Sequence, residues 1–417
     1  MKKLPRHNKF NPLIILFLII LFSVLIFIWS HRNSITSPPQ KTYEELNQLK
    51  GITLSFTQLS DFFKTLAQKK GGEYAYEVLK IAPLNPNIDL HLLGHVVGDV
   101  LYKQKGAEGI QVCTNDFRNA CSHSIVIGLF SEKGEGTLGE ISDACHKAPG
   151  GSGAYTMCFH GLGHGILTYT GYDMPKTIDI CKKTGTSTYH NREYIECVGG
   201  AVMEIIGGGF HDRELYEKQQ KKYLSTKDPL SLCFAKYMPD IVKPQCLIYL
   251  TPYLFMASGA DLGNPDPTYF EKSFEYCKQI PDGYSNLKMD CYNGFGKEFV
   301  GLVLSRDIRT QAVEELNDKQ LKTVYDWCLL AKNRDGTREC IVSAISSLYW
   351  GGENRVEPAI KLCSLIDDDF FLTSCYKNLI VMVSSYNKDA VQRKAFCGKL
   401  PDNFHAECQA ELQLTPN

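Results

Sequence analysis

The sequence predicts an all-α protein: an α-solenoid of about eight to nine helical hairpins, most closed by an internal disulfide, behind an N-terminal transmembrane helix. Three observations carry this expectation. The 16 cysteines of the 417-residue chain fall into pairs whose short and long intervals alternate without exception. Apolar residues around each pair recur at helical spacing, with a turn between the two cysteines. An uncharged apolar run lies near the N-terminus, directly after a basic segment.

Taken in order, residues 1–11 form that basic segment, with Lys2, Lys3, Arg6 and Lys9. Residues 12–29, PLIILFLIILFSVLIFIW, carry no charge over 18 residues. At about 1.5 Å per residue such a helix is about 27 Å long, close to the thickness of a hydrocarbon core. A cleaved signal peptide would have a shorter apolar region, about 7–15 residues, ending in small residues. This run ends Phe27-Ile28-Trp29, so it reads as an uncleaved anchor. Basic residues before the run keep the N-terminus in the cytoplasm and place the rest outside. Residues 30–55 read as a linker, polar at its start and stiffened by Pro38 and Pro39.

Residues 56–412 form the expected repeat domain, with a short tail at 413–417. Its first segments read as helices over 56–68, 73–81 and 88–103, with Asn85-Pro86 marking a turn. From there the cysteines set the rhythm, with 7 to 15 residues within pairs and 21 to 36 between them. The first cysteine of a pair closes an apolar-periodic stretch, as in Pro358-Ala-Ile-Lys-Leu-Cys363. Turn formers often follow, such as Pro149-Gly150-Gly151 and Pro281-Asp282-Gly283. The second cysteine opens another apolar stretch, as in Cys375-Tyr-Lys-Asn-Leu-Ile-Val. This is helix A, turn, helix B, with a cysteine on each side of the turn. The expected pairs are Cys113–Cys121, Cys145–Cys158, Cys181–Cys197, Cys233–Cys246, Cys277–Cys291, Cys328–Cys340, Cys363–Cys375 and Cys397–Cys408. Two helices leaving a short turn converge to the roughly 5–6 Å between Cα atoms that a disulfide needs. The longer steps at 197–233 and 291–328 leave room for an extra helix or loop. Structural zinc sites place ligands about two to four residues apart, and the closest cysteines here are 113 and 121, so disulfides are favoured. They also imply an oxidising, extracytoplasmic compartment, periplasmic or at the cell surface.

In period and layout, residues 56–412 resemble the Sel1-like and tetratricopeptide class of helical-hairpin repeats. That resemblance implies an extracytoplasmic solenoid that binds a protein or peptide partner on its concave face. The 45 basic and 46 acidic residues balance, and no long basic block follows residue 10, so a nucleic-acid partner is not expected.

A second device points to chemistry. Six of the 11 histidines lie between 91 and 164. The B-helix starts Asp89-Leu-His91-Leu-Leu-Gly94-His95 and Cys158-Phe-His160-Gly-Leu-Gly163-His164 agree at four of seven positions. The unit between keeps His123 but has Ile127 in place of the second histidine; a later unit reads Cys291-Tyr-Asn293-Gly-Phe-Gly296-Lys297. Histidines four apart share a helix face, so His91, His95, His123, His160 and His164 form a candidate site for a divalent transition metal. This is the alternative function: a metal-binding protein or metal-dependent enzyme. Against it, the glycines around these histidines are accounted for by close helix packing alone. B helices about 10 Å apart would also leave the first and third about 20 Å apart, too far for one ion. Glu193, Glu196 and Glu204 with His211 and Asp212 could supply carboxylates, but they read more simply as a helix end and loop. Asp367-Asp368-Asp369 reads as a solvated turn. No complete HExxH, P-loop or GxSxG motif occurs, so no catalytic residue is assigned.

Overall fold

The computed structural model describes residues 43–208, 213–351, 355–387 and 390–414. The apolar run 12–29 lies outside these residues, and among those described no helix is long and apolar enough to cross a membrane. The chain divides into two units, 1–48 and 49–417. A short helix, Glu45–Leu49, lies within the stretch expected as linker. The rest of the fold belongs to the second unit.

That unit is all-α, with no β-strand among the described residues. Polar side chains start many of its helices where the sequence supplies a cap. α1 (Phe56–Lys70) opens on a Ser55/Gln58 capping box. α2 (Gly72–Ile81) leads to α3 (Leu90–Lys105), where Asp89 accepts from the Leu92 amide at 3.0 Å. A 3₁₀ segment, Gly106–Val112, then replaces a full A helix before α4 (Ala120–Lys133). α5 (Leu138–His146) pairs with α6 (Gly151–Tyr169), and α7 (Met174–Cys181) with α8 (Arg192–Gly207). The long step after Cys197 holds α9 (Arg213–Tyr223), followed by turns that carry Cys233 to α10 (Lys243–Ser258). α11 (Pro267–Lys278) pairs with α12 (Ser285–Val303). The second long step holds the short α13 (Thr310–Glu314). α14 (Asp318–Leu329) pairs with α15 (Arg334–Gly351), α16 (Glu357–Ser364) with α17 (Asp369–Tyr386), and α18 (Ala390–Cys397) with α19 (His405–Leu414). The Asp367–Asp369 turn is a helix cap: Asp368 accepts from the Phe370 and Phe371 amides.

Eight disulfides tie A-side segments to B helices, joining Cys113–Cys121, Cys145–Cys158, Cys181–Cys197, Cys233–Cys246, Cys277–Cys291, Cys328–Cys340, Cys363–Cys375 and Cys397–Cys408. Their Cα atoms lie 5.4 to 5.7 Å apart, within the unstrained range. Where hairpins meet, apolar rings fill the space. Phe274 stacks on Phe295 at 3.9 Å, with Phe255, Phe270, Phe299 and Trp327 around them.

Successive B helices pack side by side from α3 to α17. Their contacts are closer than ordinary helix packing. A Cβ on Gly163 would fall 1.8 Å from the Cys197 carbonyl oxygen, and one on Gly296 1.9 Å from that of Cys340. Only glycine permits this approach. The row also curls back on itself. Arg309 donates to the Ala82 carbonyl at 2.7 Å, the Thr310 amide to Asp116 at 2.9 Å, and the Asn87 amide to the Ser305 carbonyl at 2.8 Å. The exit of α12 is thereby joined to the first hairpins. The inner faces of the B helices surround a cavity of about 980 Å³. One register position serves it from α3 to α15. In these seven B helices the residue six after the start lines the cavity: His95, Ile127, His164, Met203, Pro252, Lys297 and Ser346.

Candidate metal centre

α3, α4 and α6 bring all five candidate histidines to one side of this cavity. Imidazole centroids are 4.8 Å apart for His91–His95, 5.6 Å for His91–His123, 5.5 Å for His123–His160 and 5.2 Å for His160–His164. His95 and His164, on the first and third of these helices, are 6.4 Å apart. Helix spacing, expected to keep these side chains too far apart for one site, does not separate the rings. Two things bring them together. Backbones meet through glycine, a Cβ on Gly161 falling 2.5 Å from the His123 Cα. The curled row then points its long imidazole side chains inward to one place.

The hydrogen-bond network fixes the tautomer of His91 and the orientation of His95. His91 Nδ1 donates to the Phe117 carbonyl at 2.7 Å. Ser124 Oγ donates to the His95 carbonyl and shares a 3.0 Å hydrogen bond with His95 Nδ1. His91 Nε2 therefore carries a lone pair, and it faces His95 Nε2 at 3.3 Å; with the His95 proton on Nδ1, both facing atoms are free to ligate. His123 is 1 % exposed, and neither of its ring nitrogens has a hydrogen-bond partner among the described residues. One ligating atom each from His91, His95 and His123 lies within 4.8 Å of the others. His160 Nδ1 and His164 Nε2 are likewise buried without a hydrogen-bond partner.

Carboxylates hold the second pair from behind. His164 Nδ1 donates to Glu204 at 2.9 Å, and Tyr172 donates its hydroxyl to the same carboxylate at 2.8 Å. His160 Nδ1 lies 3.7 Å from Glu196, which also receives Tyr249 at 3.1 Å and Arg192 at 2.7 Å. A carboxylate behind an imidazole is the usual second layer of a metal site. Burial pushes the pKa of His91, His123 and His160 down, so these rings stay neutral, the form that ligates. Burial alone would raise Glu196, but the Arg192 charge and the hydrogen bonds it accepts outweigh it and keep it ionised. Burial lowers Lys297 to about 8.

The turn before α4 is strained. Phe117, Arg118 and Asn119 have φ of 58°, 50° and 65° in succession. Left-handed backbone costs a non-glycine residue about 1–2 kcal/mol. It presents the Phe117 carbonyl to His91 and the Arg118 side chain to the cavity.

Comparison with protein-family models, curated proteins and solved structures finds no match to this chain.

Glu196 and Glu204 correct the reading of that region as a helix end and loop: both are buried in α8, eight residues apart on one face. Their spacing was the available signal, masked by the adjacent glycines. Glu193 is buried too, but accepts from Thr186 and Tyr155 and does not line the cavity. His211 and Asp212 lie outside the described residues. Ser124 and Tyr249 enter the site with no motif of their own, whereas Lys297 closes the variant motif Cys291–Lys297 at the register position of His164. His146, the remaining histidine of the 91–164 group, stacks on Tyr155 at 4.2 Å away from the cluster.

Proposed function

We propose that the protein is an extracytoplasmic metal-binding protein whose centre, on His91, His95 and His123, holds a divalent transition metal with a coordination side open to the cavity. The observation that carries this is the facing pair of Nε2 atoms at 3.3 Å, each with its Nδ1 engaged elsewhere. In the tautomer with both protons on Nδ1, the two lone pairs converge on one point, where a cation would replace the single hydrogen bond the other tautomer allows. Two nitrogens about 2.0–2.1 Å from one tetrahedral ion lie about 3.3–3.4 Å apart. Imidazole donors suit zinc and copper, rather than magnesium or calcium. Such an ion with an open position polarises a bound oxygen and acidifies a bound water, which points to a metal-dependent enzyme. His91 and His95 are oriented by Phe117 and Ser124; His160 and His164, backed by Glu196 and Glu204, border the open side.

The scaffold in this proposal is a curled α-solenoid with the hairpin layout of Sel1-like and tetratricopeptide repeats, tethered through residues 12–29. Its eight disulfides support an oxidising compartment. A cavity of about 980 Å³ is of small-molecule size, which directs the reading away from a peptide on the concave face.

Elemental analysis of the full-length protein, purified with its disulfides intact, tests this. One equivalent or more of zinc or copper is expected, lost in His91→Ala/His123→Ala. A wild type free of metal, and unable to take up zinc or copper on addition, would overturn the proposal.

A further inference from the structure

We infer that the cavity binds its small ligand through an oxyanion group, carboxylate or phosphoryl, held between the histidine-bound ion and the side chains of Lys297 and Arg118. This rests on the metal reading above. Lys297 occupies on α12 the register position that places His95 and His164 in the cavity from α3 and α6, so its ammonium faces the same space. The lysine is largely buried, 20 % exposed at the side chain, and its Nζ sits 4.3 Å over the Tyr249 ring. Tyr249 in turn lies 4.7 Å from the His160 ring, which links the cation to the histidine cluster through one aromatic side chain.

The ammonium's acidic neighbour is Glu298 at 3.7 Å, beyond hydrogen-bond length, and Arg118 reaches that same carboxylate at 4.0 Å. Two cations thus share one carboxylate that neither grips closely. The other cavity carboxylates are engaged: Glu196 by Arg192, Glu204 by His164 and Tyr172, and Asp89 by the amide of Leu92. Four basic and four acidic residues line the cavity, so their charges cancel. A divalent ion on the histidines brings the total to plus two, which an anionic ligand offsets. Arg118 supplies a planar fork suited to an oxyanion, and Lys297 a point charge.

Calorimetric titration of the zinc-loaded, full-length protein with inorganic phosphate and with acetate tests the inference. At least one of the two should bind, and its identity tells phosphoryl from carboxylate. Lys297→Met and Arg118→Gln should each weaken that binding tenfold or more while zinc content stays unchanged, and Lys297→Arg should retain most of it. Should Lys297→Met fail to give eight disulfides and a cooperative melt, Arg118→Gln carries the comparison. Zinc retained with neither anion bound, or with anion affinity equal in wild type and variants, overturns this inference and leaves the metal centre standing. A wild type that takes up no metal overturns both.

Discussion

His123 shows what the site asks of single residues. At 1 % exposure, with both ring nitrogens lacking hydrogen-bond partners among the described residues, a neutral imidazole leaves a donor and an acceptor unsatisfied, at about 1–3 kcal/mol each. A coordinated ion resolves one of these directly. His123→Ala should therefore reduce zinc affinity by at least 100-fold in a competitive chelator titration, while the melting temperature of the metal-free protein falls by only a few degrees. Ser124 acts one layer out, hydrogen-bonded to His95 Nδ1 and so keeping Nε2 turned inward. Ser124→Ala keeps the backbone and removes that control. A loss of roughly 10- to 100-fold in zinc affinity is expected by the same titration, with the fold intact by circular dichroism.

Helices meet in this protein at glycine and are closed at cysteine, and the two devices are in register. Gly163 is five residues after Cys158 and touches the Cys197 carbonyl; Gly296 is five after Cys291 and touches that of Cys340. A methyl group 1.8 Å from a carbonyl oxygen cannot be absorbed by a rotamer change, because both atoms belong to helix backbones. Gly163→Ala should force α6 from α8 and destabilise the protein by about 1–3 kcal/mol or more, read as a lower urea midpoint. It should also weaken metal binding, since α6 carries His160 and His164. The disulfides act differently. Cys363 and Cys375 close a loop of sequence separation 12, and neither lines the cavity. Their double replacement by serine should cost about 2–4 kcal/mol in the same unfolding assay and leave zinc affinity within twofold.

For the whole molecule, the curl decides pH behaviour, because it is what buries the imidazoles. The folded pKa of His91 and His160 is held below 6.5, down to about 3 for His160, chiefly by burial. Unfolded histidines take up protons below about pH 6.5. The neutral rings therefore contribute their stability in full above that pH, and lose it progressively as pH falls toward their folded values. The metal-free protein should melt several degrees lower at pH 5 than at pH 7.5 in scanning calorimetry. Metal release on acidification should lie in the same window, since protons and ion compete for the same nitrogens. A melting temperature independent of pH across this range would mean that the rings are solvated and the curl is open.

The alternation of cysteine intervals, the turn residues between partners and the helical apolar spacing are local properties of the chain. They determined the hairpins, which half-cystines meet, and where the extra helices α9 and α13 fit. The helix reading of 73–81 needed only one further residue, Gly72, because its signals lie in adjacent residues. The two histidine pairs were equally visible, since a spacing of four dictates a shared helix face. That they converge with His123 was not visible: it depends on how far each hairpin rotates against the next, which the contacts at Gly161 and Gly163 and the closing bonds of Arg309 and Asn87 decide. The same holds for Glu196, Glu204 and Lys297, whose partners lie in other repeats. Short-range order follows from neighbouring side chains, whereas the centre exists because residues 91 to 297 meet across a curve that no single repeat encodes.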